Sequence, residues 1–113
     1  MKFTLNIYEK KKVVKTYEAD AYDLMFGTLE DFVAAIDEGF FSDNVSNADF
    51  AKMGVMLMKN SMDQIKPLIM DVFDGLTEEE IRNTKTSELL AVILAIAKYS
   101  FAEIKGISSG KNL

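Results

Sequence analysis

The chain has 113 residues, with 13 Lys+Arg against 18 Asp+Glu for a net charge of −5, and it contains no His, no Cys and no Trp. A domain of this length buries roughly two-thirds of its unfolded surface and can hold a core without staples. The missing residue types exclude a Cys/His zinc site, a disulfide frame, a thiol nucleophile and an imidazole base, so no catalytic, metal or cofactor site is expected.

The first eighteen residues read as a β-hairpin. Phe3, Leu5 and Ile7 alternate with Thr4, Asn6 and Tyr8, the period of a strand with one buried face. Val13, Val14 and Tyr17 form a second β-rich stretch, and Glu9-Lys10-Lys11-Lys12 connects the two without the Gly or Asn of the tightest turns. A two-stranded ribbon is marginal alone, so it must pack on the rest of the chain.

The remainder, residues 28–105, reads as helical. Thr28 stands three residues before Asp31, close to a capping-box pattern, and Leu29, Phe32, Val33 and Ile36 share one face before a stop at Gly39. After a polar loop over 42–47, the next helix is expected from Ala48 to Lys66, with Phe50, Met53, Leu57, Ser61 and Ile65 in a stripe. Pro67 is expected to restart or kink the chain. Thr77 with Glu80 gives the N-cap and third position of a short helix ending near Asn83. Thr84 or Thr86 then caps a helix from Ser87 to Ile104, and residues 106–113 read as a flexible tail. The fold expected is α+β, mainly α-helical with an N-terminal hairpin, in one domain over 1–105.

Within the last helix, Leu89–Ala97 is an unbroken apolar run that covers more than one face. Such a helix is either central to the fold or half buried in another subunit, which makes self-association an expectation. Nine residues fall far short of the roughly 20 that cross a bilayer. The alternation after Met1 and Lys2 lacks the apolar block of a secretion signal, so the cytoplasm is the expected compartment, with no membrane partner.

Charge is segregated. Residues 1–18 carry a net +3 and the rest −8, and no basic residue occurs between Lys15 and Lys52, where nine carboxylates accumulate from Glu18 to Asp49. This is either a solvated face or a docking surface for a basic partner. The net charge of −5 argues against nonspecific nucleic-acid binding. Other candidate constellations are weak. Glu78-Glu79-Glu80 suits a helix start better than a metal. Asp71 and Asp74 have no base or oxyanion donor beside them in sequence. The Gly110-Lys111 pair lacks the strand and helix of a P-loop.

Methionine is the more informative count. Of seven, Met53, Met56, Met58 and Met62 fall within ten residues and spread around one helix. Unbranched thioethers fit irregular clients. A plastic core helix is the other explanation. The candidate partner-binding residues are therefore these four with Leu89, Ile93 and Ile96 of the broad helix.

Two segments carry a resemblance. Tyr22-Asp23-Leu24-Met25-Phe26-Gly27-Thr28-Leu29-Glu30-Asp31-Phe32 resembles the segment after the hairpin in small tail assembly chaperones of long-tailed phages and prophages of Gram-positive bacteria. Asp71-Val72-Phe73-Asp74-Gly75-Leu76-Thr77-Glu78-Glu79-Glu80-Ile81, with Asn83-Thr84-Lys85 and the apolar helix to Ile104, is similar to that family's C-terminal half. The likeness spans about residues 2–105. It implies a non-enzymatic protein that coats the phage tape measure protein and keeps it soluble until tube subunits polymerise around it, and that is absent from the virion. It also implies a second, longer product made by a ribosomal slip, and Lys111-Asn112-Leu113 can be encoded by a slippery heptamer. The alternatives are a structural tail or head–tail protein retained in the virion, and an acidic regulator imitating DNA charge.

Overall fold

A computed structural model describes residues 1–36, 52, 55, 59 and 62–109, with side chains as far as 104. The chain is α+β with helices predominating. Strands β1 (Lys2–Glu9) and β2 (Lys12–Asp20) form an antiparallel hairpin, and a single 3₁₀ turn, Ala21–Asp23, comes next. Among the described residues four helices can be bounded: α1 (Phe26–Ala35), α2 (Met62–Val72), α3 (Glu78–Arg82) and α4 (Thr86–Ser109). Lys52, Val55 and Lys59 are also helical, and all three are exposed. Gly39, the loop over 42–47, Phe50, Leu57, Ser61 and residues 110–113 lie outside the described residues.

The hairpin follows its alternation. Phe3, Leu5 and Ile7 are buried, and opposite them Ala19, Tyr17 and Lys15 occupy the same face of β2. The register shifts between Ile7 and Tyr8: Ile7 pairs with Lys15 but Tyr8 with Val13, so Val14 is the extra residue of a β-bulge. Strand β2 runs two residues beyond position 18. The connection belongs to the tightest kind, contrary to expectation. Glu9 faces Lys12 directly, and Lys10 and Lys11 both take positive φ, 52° and 69°. That is a two-residue type I′ turn, whose twist suits the strands better than an unstrained type I turn would.

The helices correct several expected boundaries. α1 starts at Phe26, not at Thr28; its N-cap, Met25, makes no side-chain hydrogen bond, and Thr28 is buried in the first turn. Burial of Leu29, Phe32 and Ile36, with Val33 half-buried, follows the expected stripe. α2 passes through Pro67 instead of ending before it. The proline ring removes the N–H that would bond the Asp63 carbonyl. Both residues lie on the exposed side of α2, where water can satisfy that carbonyl. The opposite side buries Ile65, Leu68, Ile69 and Val72, spacings of three and four that keep one stripe inward.

α3 begins as the sequence predicts. Thr77 Oγ1 accepts from the Glu80 N–H at 3.1 Å, and Glu80 Oε1 accepts from the Thr77 N–H at 3.1 Å, a complete capping box. Ahead of it Gly75 holds φ +88°, a conformation that L side chains rarely adopt. α4 starts at Thr86 and runs to Ser109, five residues past the expected end. Neither Thr84 nor Thr86 occupies the N-cap, because Lys85 does: its carbonyl accepts from the Leu89 N–H at 2.9 Å, while the Thr84 hydroxyl donates to the Ile81 carbonyl at 2.7 Å.

α4 is the central element. It packs on α1 and on β1, while α1 also packs on α2. Leu89, Leu90, Val92, Ile93, Ile96 and Ala97 are all buried in one contiguous core with β1, α1, α2 and α3. Most of its apolar breadth is thus used inside the chain, with Leu94 and Ala95 half-buried and Ala91 exposed. Ser100 is fully buried and donates to the Ile96 carbonyl at 2.7 Å, so its hydroxyl is satisfied. Among the described residues no helix is long and apolar enough to cross a membrane.

Candidate functional site

Two polar clamps fix the hairpin on the helices and thereby shape the surface at its open end. In the first, Tyr17 Oη donates to Glu80 Oε1 at 2.6 Å and stands 3.2 Å from the Gly75 carbonyl. Lys15 Nζ lies 3.3 Å from Glu80 Oε2 and 4.6 Å from the Tyr17 ring centre. The Tyr17 hydroxyl, followed by the Thr77 N–H and Lys15, holds the Glu80 carboxyl below the usual carboxylate range against the opposing effect of burial. In the second, Tyr8 Oη and Asn6 Nδ2 donate to the two oxygens of Glu88 at 2.6 Å and 3.3 Å. Glu88 lies in the first turn of α4, the positive end of the helix. The Tyr8 N–H donates to the Asn83 carbonyl at 2.8 Å, tying the edge of β1 to the end of α3.

At the other end of the hairpin the chain turns a corner. The Asp20 carboxylate caps the 3₁₀ turn by accepting from the Tyr22 N–H at 3.1 Å, and the Ala21 N–H donates to the Met1 carbonyl at 2.9 Å. Ala21 is buried, which anchors the turn. Tyr99 of α4 lies in the same neighbourhood. Its ring meets Phe3 edge-on at 6.2 Å, and burial, then Glu103, Tyr22 and Asp20, push its phenol up. With the backbone so held, Tyr22, Met25 and Phe26 point outward and are 85%, 74% and 52% exposed. Three large apolar side chains are thus exposed within five residues, a local concentration of apolar surface.

Beside this patch runs a cleft of about 390 Å³ between the end of β2, the corner and the C-terminal end of α2. Its apolar lining comes from Ala19, Leu24, Met25 and Val72, with Thr28. The charged lining is entirely acidic: Glu18, Asp20, Asp23, Asp71 and Asp74. Lys2 Nζ comes within 4.0 Å of Glu18 at one end, both side chains being well exposed. Among the described residues no three carboxylates converge as metal ligands would, so these acids are distributed along a rim and do not form a chelate.

The residues singled out from sequence fare differently. Met53, Met56 and Met58 lie outside the described residues. Met62 is half-buried against the core and lines a separate groove with Lys66, Ile81, Leu89 and Leu90. Leu89, Ile93 and Ile96 are 9%, 0% and 0% exposed and pack in the core, because α1 and β1 both pack on α4. Asp71 and Asp74, unconvincing as a catalytic pair, join Glu18, Asp20 and Asp23 around one cleft. The outward Tyr22, Met25 and Phe26 were not among the expected partner-binding residues. The signal that could have found them is an aromatic-rich corner inside a stretch without a single base. No protein-family model, no curated protein and no solved structure matches the chain.

Proposed function

We propose that the protein is a non-enzymatic tail assembly chaperone, acting in the cytoplasm of a bacterial host, which covers apolar stretches of a phage tape measure protein until the tail tube forms around it. The observation that carries this reading is the exposed Tyr22, Met25 and Phe26 corner set against an acid-lined cleft. Three of the exposed large apolar side chains fall together at this corner, which is what a protein that shields another chain's apolar surface requires. The same residues belong to one of the two segments that resemble the chaperone family, so the resemblance and the exposed surface coincide.

The test is co-expression with the tape measure protein encoded by the same phage or prophage. Soluble recovery of the complex is expected, together with absence of this chain from purified virions by mass spectrometry. Presence in the virion at stoichiometric level assigns it to the tail structure instead. Failure to raise the soluble yield of the client contradicts the chaperone reading.

A further inference from the structure

We propose that the cleft between β2, the 3₁₀ corner and the end of α2 is a docking site for a basic amphipathic helix, with Met25 and Phe26 taking its apolar stripe and Asp23, Asp71 and Asp74 taking its lysines and arginines. This partner class deepens the client-binding reading and rests on it.

The charge pattern selects the sign of the occupant. Five carboxylates line the cleft, and among the described residues no Lys or Arg lines it with them. Ionised carboxylates only accept hydrogen bonds, so ligands that bring donors are favoured. The contact of Glu18 with Lys2 at the rim is a loose one, at 4.0 Å. Like charges gathered on one surface repel one another, and a bound polycation relieves that repulsion where an acidic or neutral segment does not. An acidic partner is therefore disfavoured whatever its apolar content.

The apolar part selects the form of the occupant. Met25 lines the cleft with Leu24 and Val72, and the next residue, Phe26, is exposed. A helix with one apolar stripe and flanking basic residues matches an apolar strip bordered by acids on one side, as in the helix-in-groove mode of recognition. The long stems of Lys and Arg can lie along the apolar strip and deliver the charge to the rim. Desolvation of the strip supplies affinity, and the rim supplies orientation and salt dependence.

The experiment uses the full chain and a labelled 18-residue peptide of Leu and Lys in helical amphipathic order, followed by fluorescence anisotropy at low and high salt. Binding that weakens with salt is expected. The variant Asp23→Asn, Asp71→Asn, Asp74→Asn should weaken it by about tenfold or more and flatten the salt dependence. Met25→Ser with Phe26→Ser should weaken it comparably without flattening it. Circular dichroism verifies that both variants fold, and since all five positions are exposed both should. Equal binding of a Lys/Ser peptide without an apolar stripe would reduce the site to nonspecific charge and overturn the proposal. So would undiminished binding by the folded Asn variant. Salt-sensitive self-association lost in the Asn variant, without peptide binding, would assign the cleft to the lysine-tipped hairpin of a second copy and likewise overturn it. Capture of a tape measure fragment by a chain that ignores the peptide would leave the chaperone reading standing and remove this one. Peptide binding by a chain that captures no fragment would do the reverse.

Discussion

Glu80 is asked to do three things at once: close the capping box with Thr77, accept from Tyr17 and pair with Lys15. Only the first is visible in the sequence, because a capping box is a local pattern, while Tyr17 arrives from 63 residues away. Thr77→Ala should cost about 1 kcal/mol in chemical denaturation, since one helix-end N–H loses its acceptor. Tyr17→Phe should cost about 1.5 kcal/mol near neutral pH, as expected for a hydrogen bond to a charged group. The pH dependence has a definite sign. The Glu80 carboxyl is held below its ordinary range in the folded chain, chiefly by Tyr17, so its contribution is complete above that range and is lost as pH falls through the folded value. The stability gap between wild type and Tyr17→Phe should therefore narrow on acidification below about pH 4. A gap that stays constant would show that the Tyr17 hydroxyl acts through the Gly75 carbonyl and not through the carboxylate.

At the level of elements, periodicity is a good guide wherever one face is buried and a poor one where the chain turns. The β1 alternation, the α1 stripe and the inward place of Ile65 are legible, because burial imposes a period of two or of three and four, whereas Leu68, Ile69 and Val72 lie beyond the expected end of that helix at Lys66. The lysine turn is not legible, since neither Lys10 nor Lys11 belongs to the residues that favour positive φ; pairing of the flanking strands imposes the conformation. Replacing Lys10-Lys11 by Asn-Gly should accordingly stabilise the chain by about 1 kcal/mol, measured as a shift of the denaturation midpoint. Gly75→Ala should act in the opposite direction by about 1 kcal/mol, since its φ of +88° is strained for any side chain although nothing lies within 4 Å to clash. Passage of α2 through Pro67 escapes the sequence for a related reason: the local pattern does not say that Pro67 and the Asp63 carbonyl it orphans lie on the exposed side of the helix. Pro67→Ala should be tolerated or mildly stabilising in the same denaturation measurement.

Over the whole molecule, the division of labour differs from the one that composition suggests. Leu89, Ile93 and Ile96 look like an excess of apolar surface in a linear reading, yet they sit where α1, α2 and β1 converge and are consumed by the core. Tyr22, Met25 and Phe26 stand out in sequence only as an aromatic-rich run in a base-free stretch, and their side chains stay outside that core. No single-sequence rule separates the two sets, because exposure depends on which elements pack around each helix end. The charge segregation is legible, but not that Asp71 and Asp74 from α2 and its following turn would join Glu18, Asp20 and Asp23. Whether the corner covers apolar stretches of the tape measure protein is decided by soluble recovery of a co-expressed tape measure fragment with wild type and with the Met25→Ser, Phe26→Ser variant. The variant should fold to the same helical content and lose most of the recovered fragment. Undiminished recovery by the folded variant would place client binding elsewhere and contradict the proposed role of the corner.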